Sequence, residues 1–173
     1  MWWSRRALVL TLAGLVLAGL PGCGFRPLYG TTDGVALSET LSQVEIGPIK
    51  DRLGQQVRNA LLDRVSPSGH RGALLYRLDT LVSESISSLA FEKSADATRA
   101  DLQLYASYSL ADVKTGAVIM NNSSQAIASF NILNSEFATL MAENGARNRA
   151  VQQLAEDIRL KVAVFLKNRH SAK

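Results

Sequence analysis

The sequence contains few of the side chains that catalytic and metal sites require. Its 173 residues include one cysteine, Cys23, and two histidines, His70 and His170. A single cysteine excludes an intramolecular disulfide, and the two isolated histidines lack the spacing of zinc ligands. A Gly-rich phosphate loop and a Gly-x-Ser-x-Gly nucleophile motif are also missing. The sequence therefore predicts a protein that is not an enzyme and that uses no cofactor and no metal.

Charged and aromatic residues are also sparse. Charged residues make up 20% of the chain, aromatic residues 6%, and the formal net charge is +4. Arg5 and Arg6 contribute to this positive balance but lie in an N-terminal segment that we expect to be removed. A nucleic-acid surface needs a concentrated basic stripe with aromatic platforms. The composition therefore predicts no nucleic-acid partner.

The N-terminal segment has the layout of an export signal. Two arginines precede an apolar run at residues 7–19, and Cys23 follows shortly after that run. The run is shorter than the roughly 20 residues that a membrane-spanning helix needs, and no stop-transfer charges follow it. A cysteine between two glycines, far from any periodic segment, has no core in which to be buried. We therefore predict a signal peptide over residues 1–22 and a lipid attached to Cys23.

This N-terminus resembles that of bacterial lipoproteins, whose mature chains begin at an acylated cysteine. Several acyl chains hold a protein stably on a membrane, whereas one gives only marginal binding. In the sorting pattern of these lipoproteins an aspartate after the cysteine signals retention in the inner membrane, and this chain has Gly24 there. The resemblance implies a lipid anchor in the outer membrane, with the protein on the periplasmic side.

Downstream of Cys23 the sequence predicts a tether and then one domain. Residues 23–40 are rich in glycine and carry a proline, which is typical of a segment without regular structure. Residues 41–170 are sufficient for a single domain with its own core. A first strand is predicted over residues 41–49, and a four-residue apolar spacing predicts a helix over residues 51–65.

Three long strands are predicted in the middle of the chain because apolar residues alternate with polar ones. The turn between the second and third of these strands is expected at Lys114-Thr115-Gly116. The residues that we expect to face the core are Leu74, Tyr76, Leu78, Thr80, Val82 and Ile86, then Leu102, Leu104, Ala106, Tyr108 and Leu110, then Ala126, Ala128, Phe130 and Ile132.

A last, long helix is predicted from residue 134 or 135 to about residue 167. We expect Phe137, Leu140 and Met141 to begin its core stripe, and we expect Asn144-Gly145 to be a position where the helix can kink or break. The order of elements predicts an α+β sandwich, with two helices packed on one face of a largely antiparallel four-stranded sheet.

The non-core residues of the predicted strands are unusually neutral, being mostly serine, glutamine and asparagine. Two interpretations are open. An antiparallel sheet often exposes one ordinary solvated face. Alternatively, the face docks inside another protein, because the cores of interfaces are depleted of charge. The residues that form this neutral set are Ser83, Ser85, Ser87, Gln103, Ser107, Ser109, Ser123, Gln125, Ser129 and Asn131.

Two segments support a resemblance to a known family. Cys23-Gly-Phe-Arg-Pro-Leu-Tyr resembles the start of the mature LptE proteins, which are lipopolysaccharide-assembly lipoproteins. The opening of the last helix, Ser135-Glu136-Phe137-Ala138-Thr139-Leu140, and the order of elements also fit an LptE-like sandwich. The resemblance implies a lipoprotein that plugs the LptD β-barrel of the outer membrane, helps to assemble it, and binds lipopolysaccharide during delivery to the cell surface.

Lipopolysaccharide carries phosphates, so its site should contain lysine or arginine. The candidates are Lys93 and Arg99, in the connection predicted over residues 91–100, and Arg77 on the polar side of a strand. For each of them the alternative is an ordinary solvated charge.

Two other classes of function remain open on the sequence. One is a different outer-membrane lipoprotein adaptor, such as a pilotin for a secretin or an auxiliary lipoprotein of a lipid-trafficking transporter. The other is a periplasmic hydrolase, because scattered serines and carboxylates can converge in the fold.

Overall fold

A computed structural model describes residues 40–65, 73–89 and 99–171. The predicted signal peptide and tether, including Cys23, lie outside the described residues, and so does Lys93. The regular elements are strand β1, Val44–Ile46; helix α1, Asp51–Val65; strands β2, Tyr76–Leu89, β3, Arg99–Asp112, and β4, Val118–Asn131; and helix α2, Glu136–Ser171.

Strand β1 is much shorter than the strand predicted over residues 41–49. It runs parallel to β2 and pairs only with Tyr76–Leu78 of that strand. The last bond of the ladder joins the Gly47 N–H to the Leu78 carbonyl at 2.9 Å. Pro48 follows, and because proline has no N–H group it cannot continue the ladder. The predicted strand therefore exists, but the proline ends it early.

Helix α1 has the bounds that the sequence predicted. Its glycine, Gly54, lies against the turn that leads into the helix, and a Cβ atom there would lie 2.6 Å from the Cγ2 atom of Ile49. This close approach explains why a residue with low helix propensity occupies the helix interior. The crossover from β1 through α1 thus packs tightly before the chain enters β2.

Strands β2, β3 and β4 form an antiparallel meander, and the order in the sheet is β1-β2-β3-β4. The predicted turn between β3 and β4 is confirmed. Gly116 has φ +71°, and Asp112 Oδ1 accepts hydrogen bonds from the Lys114 and Thr115 N–H groups at 3.0 and 3.2 Å. The bond from Thr115 lowers the pKa of Asp112, with burial opposing it.

Both helices cover the same face of this sheet, so the predicted fold class is confirmed. The predicted core positions of β3 are all buried, and helix α2 packs mainly on β4 and β3 and against α1. Leu104 and Leu110 from the sheet and Leu154 and Ile158 from α2 are fully buried. The core therefore lies between one sheet face and the helical layer.

The prediction for the first turns of α2 is wrong. The helix is continuous through Asn144-Gly145, and Phe137, Leu140 and Met141 are 71%, 50% and 48% exposed instead of buried. The first fully buried residue of α2 is Ala146. Strand β4 ends at Asn131, so the first turns of the helix extend beyond the strand on which the rest of it packs.

The prediction that Ile86 faces the core is also wrong, since this residue is 44% exposed. Tyr76, Leu78 and Thr80 at the start of β2 are buried as predicted. Farther along the strand, Glu84 forms an ion pair with Arg147 of α2, at 2.7 Å between Oε2 and Nε. The apolar core therefore ends near the middle of β2. Leu74, another predicted core residue, precedes the strand and is exposed.

The two helices are joined by a charged cluster as well as by apolar contacts. Glu156 of α2 accepts from Arg159 on its own helix and forms an ion pair with Arg64 of α1, 3.3 Å from Oε2 to Nε. Arg64 also donates to Gln152 of α2. The hydrogen bond from Arg159 lowers the pKa of Glu156, with burial opposing it.

The core assignment predicts that Leu104→Ala destabilises the protein by about 2–5 kcal/mol, because a fully buried leucine leaves a cavity. Ile127→Ala, on the exposed face of the neighbouring strand, is the matched control, and its expected change is below about 0.5 kcal/mol. Urea unfolding followed by circular dichroism measures both. Equal losses from the two variants would contradict the assignment of the core face.

The charged cluster predicts a pH dependence. The pKa of an unfolded-state glutamate is about 4.3. A glutamate whose pKa is lower than this in the folded state stabilises the fold at pH values above the unfolded-state pKa. This contribution is lost as the pH falls through the folded-state pKa. Below about pH 5 the Glu156→Gln variant should therefore lose less stability with falling pH than the wild type does. The effect is small because the Glu156 side chain is 42% exposed.

Urea midpoints between pH 3 and pH 7 would measure this difference. Gln153→Ala is the control, since Gln153 is exposed on the same helix and its replacement changes no titratable group. Parallel curves for the wild type and Glu156→Gln would argue against the linkage.

Candidate functional site

The sheet face opposite the helices is open and is the main candidate for a functional surface. We call it the open face. It is formed by the odd-numbered residues of β2, β3 and β4, because the even-numbered residues point into the core. All members of the predicted neutral set lie on it, and all are exposed or partly exposed. The structure therefore places them on one continuous surface.

Three apolar side chains cross this face diagonally. Leu81, Tyr105 and Ile127 are 70%, 47% and 51% exposed. Leu81 pairs with Ser107 and Tyr105 with Ser83, so Leu81 and Tyr105 are diagonal neighbours on adjacent strands. Tyr105 and Ile127 are related in the same way across β3 and β4. Diagonal neighbours lie about 7–8 Å apart, within reach of large side chains. We call these three residues the apolar diagonal.

Charge on the open face is confined to its two ends. Arg77 and Asp79 lie at the end near β1, and Arg99 and Asp101 lie at the opposite end. Between these pairs the described strands carry no charged side chain on this face. A shallow groove of about 530 Å³ lies near the β1 end and is lined by Pro48, Asp79, Leu81, Ser107, Ser109 and Asn121, among others. The centre of the face is thus polar, neutral and crossed by the apolar diagonal.

Of the three candidate cations for lipopolysaccharide, Arg77 and Arg99 lie in the described residues, and the fold does not bring these two together. The sequence predicted Arg99 in a loop, and this prediction is wrong. Arg99 is the first residue of β3, where it pairs with Leu89 of β2 and Asn131 of β4. Arg77 is aligned with Ala111, which is about 40 Å farther along β3 at roughly 3.3 Å per residue. The two arginines therefore lie at opposite ends of the sheet.

Arg77 already has a partner in the fold. Its Nε atom lies 3.0 Å from Asp79 Oδ1, and this hydrogen bond raises the pKa of Arg77. Arg99, by contrast, is exposed at the start of β3. Of the two, Arg99 is the better placed for a ligand at that end of the sheet.

The sequence reasoning missed an apolar cluster near Arg99. The cluster consists of Leu133, Phe137, Leu140 and Met141, all exposed, and begins two residues after Asn131, the β4 partner of Arg99. Thr139 fixes the turn that carries Leu133. Its hydroxyl accepts from the Leu133 N–H at 2.9 Å and donates to the Leu133 carbonyl at 3.1 Å. We call these four residues the apolar end cluster. Their helical spacing was visible, but spacing alone does not tell a core stripe from an exposed one.

The described residues contain no group of three or more His, Cys, Asp or Glu side chains arranged to hold a metal ion. None of the helices in the described ranges is both long and apolar enough to cross a membrane.

The same fold occurs in solved structures of bacterial lipoproteins. A candidate lipoprotein from Caulobacter crescentus is 22% identical, with a TM-score of 0.60 over 77% of this chain and 97% of that one. Rare lipoprotein B from Shewanella oneidensis is 13% identical, with a TM-score of 0.56 over 73% and 98%. An uncharacterized lipoprotein B from Nitrosomonas europaea is 13% identical, with a TM-score of 0.55 over 72% and 83%. At these identities the likeness defines the class of fold only.

The sequence profile of the LptE family, described as Lipopolysaccharide-assembly, matches residues 40–162. The match covers β1 to β4, α1 and most of α2. The chain belongs to the LptE family, which confirms the resemblance to that family, and the segment that begins at Cys23 lies outside the matched residues. No match was found among curated protein sequences.

Proposed function

We propose that this lipopolysaccharide-assembly protein is an outer-membrane lipoprotein, anchored through acylated Cys23, that plugs an LptD-like β-barrel and helps to assemble it. The observation that carries the proposal is the open face, which is neutral over most of its length and crossed by the apolar diagonal. Family membership supports the assembly role. The proposed action is binding rather than catalysis.

A barrel lumen is a suitable environment for such a surface. The interior of large outer-membrane barrels is polar. Serine, glutamine and asparagine side chains find hydrogen-bond partners on a polar wall, whereas each buried charge would need a partner of opposite sign. The apolar diagonal adds area that gains from being removed from water. The open face therefore fits a polar, enclosing partner better than it fits bulk solvent.

Lipopolysaccharide contact is proposed at the Arg99 end of the sheet. Arg99 lies there, and Lys93 is joined to it by only a few residues of chain. The apolar end cluster lies near the same end. Phosphate groups bind lysine and arginine, and acyl chains bind apolar surface. Arg77 is about 40 Å away and paired with Asp79, so it is left out of this contact.

The open face is tested by charge insertion. Tyr105→Lys with Ile127→Lys should lower the amount of barrel that copurifies in mild detergent by about tenfold or more, because two unpaired charges would be buried. Val164→Lys, at an exposed apolar position of α2, is the control and should leave recovery unchanged. The copurifying barrel is identified by mass spectrometry.

The identity of that barrel separates the alternatives. Recovery of an LptD-like barrel at near-equal amount with the wild type supports the plug. Recovery of a secretin would indicate a pilotin, recovery of a lipid-transporter complex would indicate an auxiliary adaptor, and either result would end the plug proposal. Equal recovery with the lysine variants would show that the open face is not the contact.

The lipopolysaccharide contact is tested by charge reversal. Lys93→Glu with Arg99→Glu should lower lipopolysaccharide binding by about tenfold or more in a folded protein, because phosphate binding depends on positive charge. Arg77→Glu with Lys114→Glu makes the same change in net charge near the opposite end of the sheet and should bind normally. Retained binding by the Lys93 and Arg99 double variant, with an unchanged circular dichroism spectrum, would remove this site.

A further inference from the structure

Strand β2 is much longer than the strand that covers its outer edge. It spans Tyr76–Leu89, but β1 pairs only with its first three residues. The ladder stops because Pro48 follows the last donor, Gly47, and the Gly47 carbonyl accepts from Arg58 Nε of α1 at 3.3 Å. Nothing in β1 or the turn after it continues along β2.

The backbone groups that this leaves uncovered follow from the pairing pattern. The Tyr76 N–H bonds to Gln43 and the Leu78 carbonyl to Gly47, so the even-numbered residues of β2 direct their N–H and C=O groups away from β3. Beyond Leu78 these groups form no hydrogen bond with any other described residue. We call this stretch the β2 edge; its outward residues are Thr80, Val82, Glu84, Ile86 and Ser88.

The opposite edge of the sheet is protected. On β4 the odd-numbered residues direct their backbone groups outward, and two side chains of α2 reach around to them. Arg149 donates to the Ser129 carbonyl at 3.1 Å, and Lys161 donates to the Ser123 carbonyl at 2.9 Å. Proteins commonly use such charged side chains to prevent pairing at sheet edges. The β2 edge has no comparable lysine or arginine on its backbone within the described ranges.

Space for a ligand lies beside the middle of the β2 edge. A cavity of about 440 Å³ separates the start of α1 from β2 and α2, and Val82 and Glu84 form its β2 wall. Glu84 is the only charged residue from Thr80 to Ser88, and Arg147 binds both of its carboxylate oxygens, at 2.7 and 2.8 Å. Hydrogen bonding to Glu84 raises the pKa of Arg147. Among the described residues the edge is therefore unpaired, and Glu84 is the one charge on the β2 edge itself, while Lys50, Asp51 and Arg52 also line the cavity beside it.

We propose that the β2 edge binds an extended segment of the barrel partner as an added strand. This inference rests on the proposed function, because the barrel is the partner to which we assign the strand. Strand addition uses main-chain hydrogen bonds for affinity, and the unpaired N–H and C=O groups of the β2 edge supply them. A segment without charged residues suits the β2 edge itself, whose single charged residue, Glu84, is already paired with Arg147. The added strand would also adjoin the open face, to which β2 contributes Leu81, Ser83, Ser85 and Ser87.

A second copy of the chain fits this edge less well. If two copies paired antiparallel over the whole of Thr80–Ser88, Glu84 would lie opposite Glu84 of the other copy. Like charges directly opposite each other destabilise a strand pair, and the ion pair of each Glu84 with its own Arg147 offsets this repulsion only in part. An uncharged partner segment avoids this repulsion.

Hydrogen exchange tests the proposal on the protein purified from its own outer membrane, alone and in its barrel complex. The amides of Val82, Glu84 and Ile86 should exchange rapidly in the protein alone and at least about tenfold more slowly in the complex. The amides of Ser83 and Ser85, which bond to β3, should be protected in both samples and serve as internal references.

A proline variant provides a second readout. Val82→Pro removes one outward N–H without breaking a bond to β3, so it should reduce barrel recovery by about fivefold or more while the domain stays folded. Val82→Thr retains the N–H and should behave as wild type.

The outcomes separate this inference from the proposed function. If the wild type recovers the barrel but the three amides gain no protection and Val82→Pro recovers as much barrel, strand addition is overturned and the plug stands. If the wild type recovers no barrel, both proposals fall. Amides already protected in the protein alone would overturn strand addition by the barrel, and size-exclusion chromatography would then tell a second copy from a segment of the same chain.

Discussion

The structure depends on burial of a single sheet from one side only. Helix α2 packs on β4 and β3, α1 packs beside it, and between them they bury the even-numbered residues of three long strands. Because side chains alternate along a strand, every residue that is added to the core places a neighbour on the opposite face. A four-stranded sheet with one helical layer therefore creates an open face as large as its core.

The sequence predicted the parts of this arrangement that depend on local periodicity. Alternation identified which residues of β3 face the core, and apolar spacing predicted α1 with its observed bounds. It did not predict where packing stops. Phe137 continues the spacing of α2, but its position beyond the end of β4 decides that it is exposed. Ile86 likewise keeps the parity of β2 after the helices have ceased to cover that strand.

The candidate surface was predictable in part for the same reason. The neutral side chains followed from parity, because it assigns each strand residue to one of two faces. The apolar diagonal was harder to find: Leu81, Tyr105 and Ile127 occupy polar-face positions on three different strands, and only the register brings them side by side. The β2 edge was not predicted because it depends on the length of β1, which a single proline sets. The protection of the β4 edge was not predicted because it depends on long-range contacts of α2.

A neutral face with exposed apolar side chains is a liability for a protein in solution, since charge is what keeps exposed sheet surfaces and edges from associating. This chain carries the protective charge elsewhere: on α2, at the β4 edge and at the two ends of the open face. The centre of the open face has no charge, and it adjoins the β2 edge, which no charged side chain of the described residues protects. We therefore expect both surfaces to be covered by a partner, because otherwise they would promote association between copies of the protein. The fold thus separates the residues that stabilise the domain from those that contact the partner. Substitutions on the odd-numbered side of β2 and β3 should change assembly while leaving folding nearly untouched, because none of those side chains enters the core.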